Sequence, residues 1–167
     1  DGWDNDTTFF NMTTSGIQRW TVPATGTYQV EVYGAGAGPC LNYGGGYPGR
    51  GANLSGEFNL TQGDILQILV GQTGDDSLRV GGAGGGTFVV ADDNTPLIIA
   101  GGGGAGHDGD NDQTGSGCGN ADATDSPTAQ NGCNGCSGGS GGSGGESCGR
   151  PGGGGFSGNG ANGSGNA

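Results

Sequence analysis

After Ala100 the chain contains one residue from the set Val, Ile, Leu, Met, Phe, Trp and Tyr, namely Phe156. A stretch with so little apolar surface cannot bury a core, and composition of this kind ordinarily marks a flexible tail. Glycine is what fills it: 26 of the 46 glycines lie in residues 101–167 and 20 in residues 1–100. Their spacing offers a route to order. Gly132, Gly135, Gly138, Gly141 and Gly144 lie three apart, and Gly152, Gly155 and Gly158 form a second such run. On an extended helix of three residues per turn, glycine at every third position leaves a bare face where neighbouring backbones touch and hydrogen-bond. The expectation for 101–167 is therefore a polyglycine-II segment rather than a loose tail.

The cysteines fit that expectation. Cys118, Cys133, Cys136 and Cys148 fall in the glycine-rich half, where cross-links compensate for a missing core, while Cys40 stands apart in another glycine-rich loop. The Cys133-Asn-Gly-Cys136 spacing imitates a redox or zinc motif, but there is no second such pair and one histidine in the whole chain. Positions i and i+3 of an extended helix rising about 3.1 Å per residue are roughly 9 Å apart, too far for a disulfide, so Cys133 and Cys136 are expected to pair outward. Five cysteines leave one over, and Cys40 is the candidate free thiol or intermolecular link.

The first hundred residues read as β-structure. Tyr28-Gln-Val-Glu-Val-Tyr33 alternates with period two, placing Tyr28, Val30 and Val32 on one face and Gln29 and Glu31 on the other. Residues 53–60 repeat the pattern, with Leu54, Phe58 and Leu60 inward and Asn53, Ser55, Glu57 and Asn59 outward. Ile65–Val70, Thr87–Val90 and Pro96–Ala100 are short branched runs between Gly, Asp and Asn turn signals, which suggests an antiparallel sandwich. The domain expectation is a sandwich with glycine-rich loops over 1–100, and a polyglycine-II segment over 101–167 packed with loops 34–51 and 81–86. Asn-x-Ser/Thr acceptor signals for N-linked glycans occur at Asn5, Asn11, Asn53, Asn59 and Asn162. Asn53 and Asn59 share the outward face of one expected strand, where a glycan is accommodated without unfolding it.

Sixteen acidic residues against four arginines give a net charge of −12 and a sequence pI near 4.1. That balance repels phosphate backbones and anionic lipid, so no nucleic-acid partner is expected. No window approaches 18 consecutive apolar residues, so no membrane insertion is expected either. The chain begins at Asp1 without an apolar leader and reads as a processed, secreted, extracellular form.

Other chemical motifs fail on their own terms. The glycines after Tyr33 imitate a dinucleotide-binding turn, but the third fingerprint position is Pro39 and no helix-forming segment follows. Asp108, Asp110 and Asp112 alternate like the start of a calcium loop, yet position six is Gln113 and position twelve Gly119; a looser calcium site on these three aspartates is the weak alternative to a solvated turn, and no other cofactor is expected. His107 has no nucleophile beside it in a recognisable motif, and Asp75-Asp76 and Asp92-Asp93 fit turns better than catalytic pairs. The chain does not read as an enzyme.

The runs GIQRWTVPATGTYQVEVYGAGAG, LSGEFNLTQGDILQILVGQTGDD, GGAGGGTFVV and PLIIAGGGGAG resemble, over about residues 16–106, the glycine-rich extracellular region of the anaplastic lymphoma kinase and leukocyte tyrosine kinase receptors. The resemblance implies an all-β, jelly-roll-like sandwich whose connections form a polyglycine-II bundle including 34–38, 81–86 and 101–106. The tail is also similar, in composition and spacing, to polyglycine-II antifreeze proteins of the snow-flea type. In the receptor family a last strand follows the glycine-rich part, whereas this chain ends in GNGANGSGNA, and receptor signalling does not carry over. An open sheet edge is therefore expected, with Thr7–Thr14 either covering it or reaching a neighbour. The functional expectation is an extracellular glycosylated structural protein that self-associates into a homopolymeric fibre, sheath or coat. The alternative is an extracellular binding module with an adhesin, receptor-type or ice-binding surface.

Overall fold

The computed structural model describes residues 7–39, 49–76 and 81–104. These fold into seven strands with no helix among them: β1 (Phe10–Thr14), β2 (Ile17–Thr21), β3 (Gly26–Tyr33), β4 (Asn53–Leu60), β5 (Ile65–Leu69), β6 (Thr87–Ala91) and β7 (Pro96–Ala100). All pairing is antiparallel, in a five-stranded sheet of order β1-β2-β5-β6-β7 and a two-stranded sheet of β3 and β4. The described part of the chain is all-β, as the alternation predicts. The inward and outward residues of β3 and β4 also follow it: Val32 and Leu60 are buried, and Gln29, Glu31, Asn53, Ser55, Glu57 and Asn59 are exposed. Strand β2 was not anticipated. Its Ile-Gln-Arg-Trp-Thr sequence lacks clean alternation, because polar Gln18 shares the core-facing side of Trp20 while apolar Ile17 shares the outward side of Arg19.

Between the sheets, Val22, Val32, Leu60, Leu66, Val89 and Ile98 form the core, with Trp20, Tyr28 and Phe58 packed on its margin. The Trp20 and Tyr28 rings meet edge to face at 5.4 Å, and the Tyr28 hydroxyl donates to the Ala24 carbonyl at 2.6 Å, holding the crossover from one sheet to the other. Turns are set by the residues the sequence supplies. Gly63 adopts φ +91° between β4 and β5, where Asp64 accepts from the Thr61 amide at 2.8 Å; Asn94 adopts φ +64° between β6 and β7, where Asp93 accepts from the Thr95 amide at 2.9 Å.

Five segments continue the strands out of one end of the sandwich: 34–39 after β3, 49–52 before β4, 71–76 after β5, 81–86 before β6 and 101–104 after β7. Each at first keeps the register of its strand. Gly34 and Ala37 donate to Ala52 and Gly49 as a continuation of the β3–β4 ladder, and Gly85 and Gly82 donate to Gln72 and Asp75 as a continuation of β5–β6. The two layers then bond to each other. Ala35 and Gly38 donate to Gly85 and Gly82 at 3.0 and 2.9 Å, Gly74 and Gly103 donate to Gly36 and Ala35, and Gly49 and Ala52 donate to Gly104 and Gly101.

Packed sheets stand about 10 Å apart because side chains fill the gap, whereas hydrogen-bonded backbones lie about 4.8 Å apart. The layers can merge here because glycine removes the filler. A Cβ built at Gly34, Gly51, Gly74, Gly81, Gly84 or Gly102 would lie closer than 3.0 Å to a neighbouring backbone carbonyl, a separation real Cβ atoms do not show. None of these has a positive φ, so the requirement is for space and not for left-handed backbone. At the junction the hydroxyl of buried Thr87 donates to the Tyr33 carbonyl at 2.6 Å and accepts from the Gly71 amide at 3.0 Å, joining both sheets where side chains give way to bare backbone.

Two substitutions test this account by chemical denaturation. Gly51→Ala should destabilise by at least the roughly 1–3 kcal/mol of an overpacked core, because the obstructing atoms are backbone and cannot swing aside. Thr87→Val, nearly isosteric, should cost about 1–3 kcal/mol by leaving the Gly71 amide and Tyr33 carbonyl without their shared partner.

Candidate functional site

The outward face of the β3–β4 sheet carries Thr27, Gln29, Glu31 and Tyr33 opposite Asn59, Glu57, Ser55 and Asn53 in that order. Every one of these residues is exposed, so the face is polar throughout and open to solvent. Asn59 and Asn53 stand at its two ends, held by cross-strand partners. Thr27 donates its hydroxyl to Asn59 Oδ1 at 2.8 Å, which leaves the nitrogen, the atom a glycan would occupy, directed away from that bond. Tyr33 lies against Asn53 and donates to Glu31 Oε1 at 2.5 Å, and that bond to a carboxylate raises the phenol pKa above 10.0.

The structure separates acceptor signals that the sequence presents as equals. Asn11, on β1, is half-buried, with Oδ1 enclosed and without a hydrogen-bond partner, and its Nδ2 turns toward the Thr7 carbonyl at 3.4 Å. Asn53 and Asn59 are the accessible pair among the described residues. Asn5, Asn162, Cys40, Cys118, Cys133, Cys136, Cys148 and the calcium candidates Asp108, Asp110 and Asp112 lie outside the described residues, as does His107. Among the described residues no three His, Cys, Asp or Glu side chains come together as metal ligands.

Two open grooves lie against the short sheet. A groove of about 510 Å³ beside β4 is lined by Phe58, Leu60, Leu66 and Leu97, with Asp64 and Asp93 on its rim. A groove of about 300 Å³ beside β3 is lined by Val30, Val32, Ile68, Val70 and Val89, and Val70 is 47% exposed. Among the described residues the short sheet sets two strands against five. The alternation gave Val30 and Val32 as inward residues, but no local signal marks them as groove lining, since that depends on how many strands the opposing sheet has.

The turn between β6 and β7 sits at the end of the larger groove. Asp92 there takes the Arg19 guanidinium at 2.6 Å, with side chains 31% and 50% exposed, and its carbonyl accepts from Gln67 at 3.2 Å. A pair so exposed contributes at most about 1 kcal/mol and serves to fix the turn against β2 and β5. The backbone amide of Thr95 holds the Asp93 carboxyl below its ordinary pKa of 3.8.

No protein-family model matches the chain.

Asp93, depressed in the folded state, contributes stability that is present above its unfolded pKa and is lost as pH falls through the lower folded value. A carboxyl titration by NMR should find the Asp93 midpoint below 3.8, and Thr95→Pro, which removes the donor amide, should return it upward. For Tyr33 the sign is opposite: Glu31→Gln should lower its titration midpoint, because the carboxylate that holds the phenolic proton is gone.

Proposed function

We propose that the chain is an extracellular, glycosylated structural protein, a subunit that self-associates into a fibre, sheath or coat. On this reading the two sheets form a jelly-roll-like sandwich and the glycine segments a polyglycine-II bundle, as in the receptor regions the sequence resembles. Disulfides among Cys118, Cys133, Cys136 and Cys148 stitch residues 101–167, Cys40 is free or links copies, and N-linked glycans occupy the exposed Asn53 and Asn59.

The observation that carries the reading is the rotation of hydrogen bonds along 34–38. Residues 34 and 37 donate to one neighbour, 35 and 38 to a second, and 36 accepts from a third. That period of three is what a polyglycine-II helix presents to surrounding chains. A body held in this way is stabilised by its own main chain and has little side-chain chemistry to offer, which suits a passive structural part better than a catalyst. Self-association is supported by the sheet edges: among the described residues β1, β7, β3 and β4 each have one side with no strand paired to it.

The binding-module reading keeps one specific observation in its favour, the apolar groove beside β3, a strand with no second partner among the described residues, where an extended peptide would add as a strand. Negative-stain imaging of the native material separates the two. Filaments or sheets are expected; monodisperse particles at all concentrations would favour the binding module. Intact-glycopeptide mass spectrometry should find Asn53 and Asn59 modified, and finding both bare would reject the glycosylated secreted assignment.

A further inference from the structure

Segment 34–38 is the hub of the glycine lattice. It bonds directly to 49–52, 71–76, 81–86 and 101–104. Those four also bond in series around it, with 71–76 joined to 81–86, 81–86 to 101–104, and 101–104 to 49–52. Three-residue helices pack with six neighbours around each, so four consecutive places around the hub are taken. The two between 49–52 and 71–76 are open among the described residues.

The backbone of the hub points at those two places. Its amides diverge at thirds of a turn: 34 and 37 point to 49–52, 35 and 38 to 81–86, and the remaining direction, that of the Gly36 N–H, falls beside 71–76. The carbonyls of 35 and 36 go to 101–104 and 71–76, which leaves the direction shared by the Gly34 and Ala37 carbonyls, beside 49–52. A second observation concerns Gly36 itself. A Cβ there would come no nearer than 3.7 Å to any described atom, unlike one at Gly34 or Gly38, and both sequence neighbours of Gly36 are alanine. The missing methyl group at Gly36 therefore leaves room for a further backbone to approach on that side.

We infer that the two open places beside 34–38 are an intramolecular docking surface for the chain's own period-three glycine runs, Gly132–Gly144 and Gly152–Gly158. The inference rests on the polyglycine-II reading and deepens it. The occupant must be a bare-faced backbone, because a side chain pointing into either place would separate it from the donors and acceptors of the hub. The chain holds two such runs for two places, and they follow 101–104 on the same chain, whose tether keeps them at high local concentration.

Amide hydrogen exchange on the full-length oxidised protein tests this. Gly36 should be protected to within about tenfold of Gly34 and Ala37, and Gly138→Val with Gly141→Val should raise its exchange at least ~100-fold while Gly34 and Ala52 keep theirs. Gly36→Ala should lower the melting temperature. Rapid exchange at Gly36 beside protected Gly34 and Ala37, or a melting temperature unchanged or raised by Gly36→Ala, would overturn the docking and leave the five-segment bundle intact. Unprotected Gly34 and Ala37 would instead sink the polyglycine-II reading itself. Protection of Gly36 that appears only on raising protein concentration would assign the runs to a second copy and overturn the intramolecular assignment.

Discussion

Backbone carbonyls approach neighbouring glycine Cα atoms so closely in this protein that no side chain fits between them, and the rest of the architecture follows from that contact. Gly34 against Gly101, Gly81 against Gly38 and Gly102 against Gly84 are places where one methyl group would push two main chains apart. Each hydrogen bond gained is worth only about 1 kcal/mol net, and each glycine fixed costs more entropy than an alanine would. The lattice is therefore stable as a set of mutually supporting bonds anchored on strands, and no isolated segment of it would hold its shape.

The anchoring explains why the two sheets end together. Ordinary sandwiches keep their layers apart and bind them through interdigitated side chains, as Val32, Leu66, Val89 and Ile98 do here. Beyond Tyr33 and Thr87 glycine stands wherever the two layers approach each other, and they close until they bond main chain to main chain. Thr87 marks the changeover: its hydroxyl is small enough to be enclosed and polar enough to satisfy one group from each side. A small hydrophobic core, whose largest fully buried side chain among the described residues is Val22, is thereby extended by a second ordered body held chiefly by main-chain hydrogen bonds.

The surfaces follow from the unequal sheets. The outward face of β3 and β4 is polar from end to end and suits hydrated attachments at Asn53 and Asn59. Among the described residues the five-stranded sheet faces two strands, and two apolar grooves lie against the shorter sheet. With a net charge of −12, the whole molecule repels polyanions and, at low salt, its own copies, so assembly would need short-range contacts at sheet edges or between glycine faces rather than long-range attraction.

The sequence by itself determined the class of structure and the faces of its clearest strands. Alternation at Tyr28, Val30 and Val32 and at Leu54, Phe58 and Leu60 fixes which side of each strand is buried, because a period of two is a local property of neighbouring residues. The turns at Gly63 and Asn94 were equally legible, being set by single residues that tolerate positive φ. Only the tertiary structure decided that Ile17–Thr21 is a strand, that β2 lies between β1 and β5, that Asn11 is half-buried while Asn53 and Asn59 are open, and that 34–38 is the centre of the glycine lattice. Side chains announce their partners through size, charge and period, but glycine presents the same bare backbone everywhere. Which glycine segments meet is therefore set by the strands that deliver them, and the pairing of those strands is settled only when the whole sandwich closes.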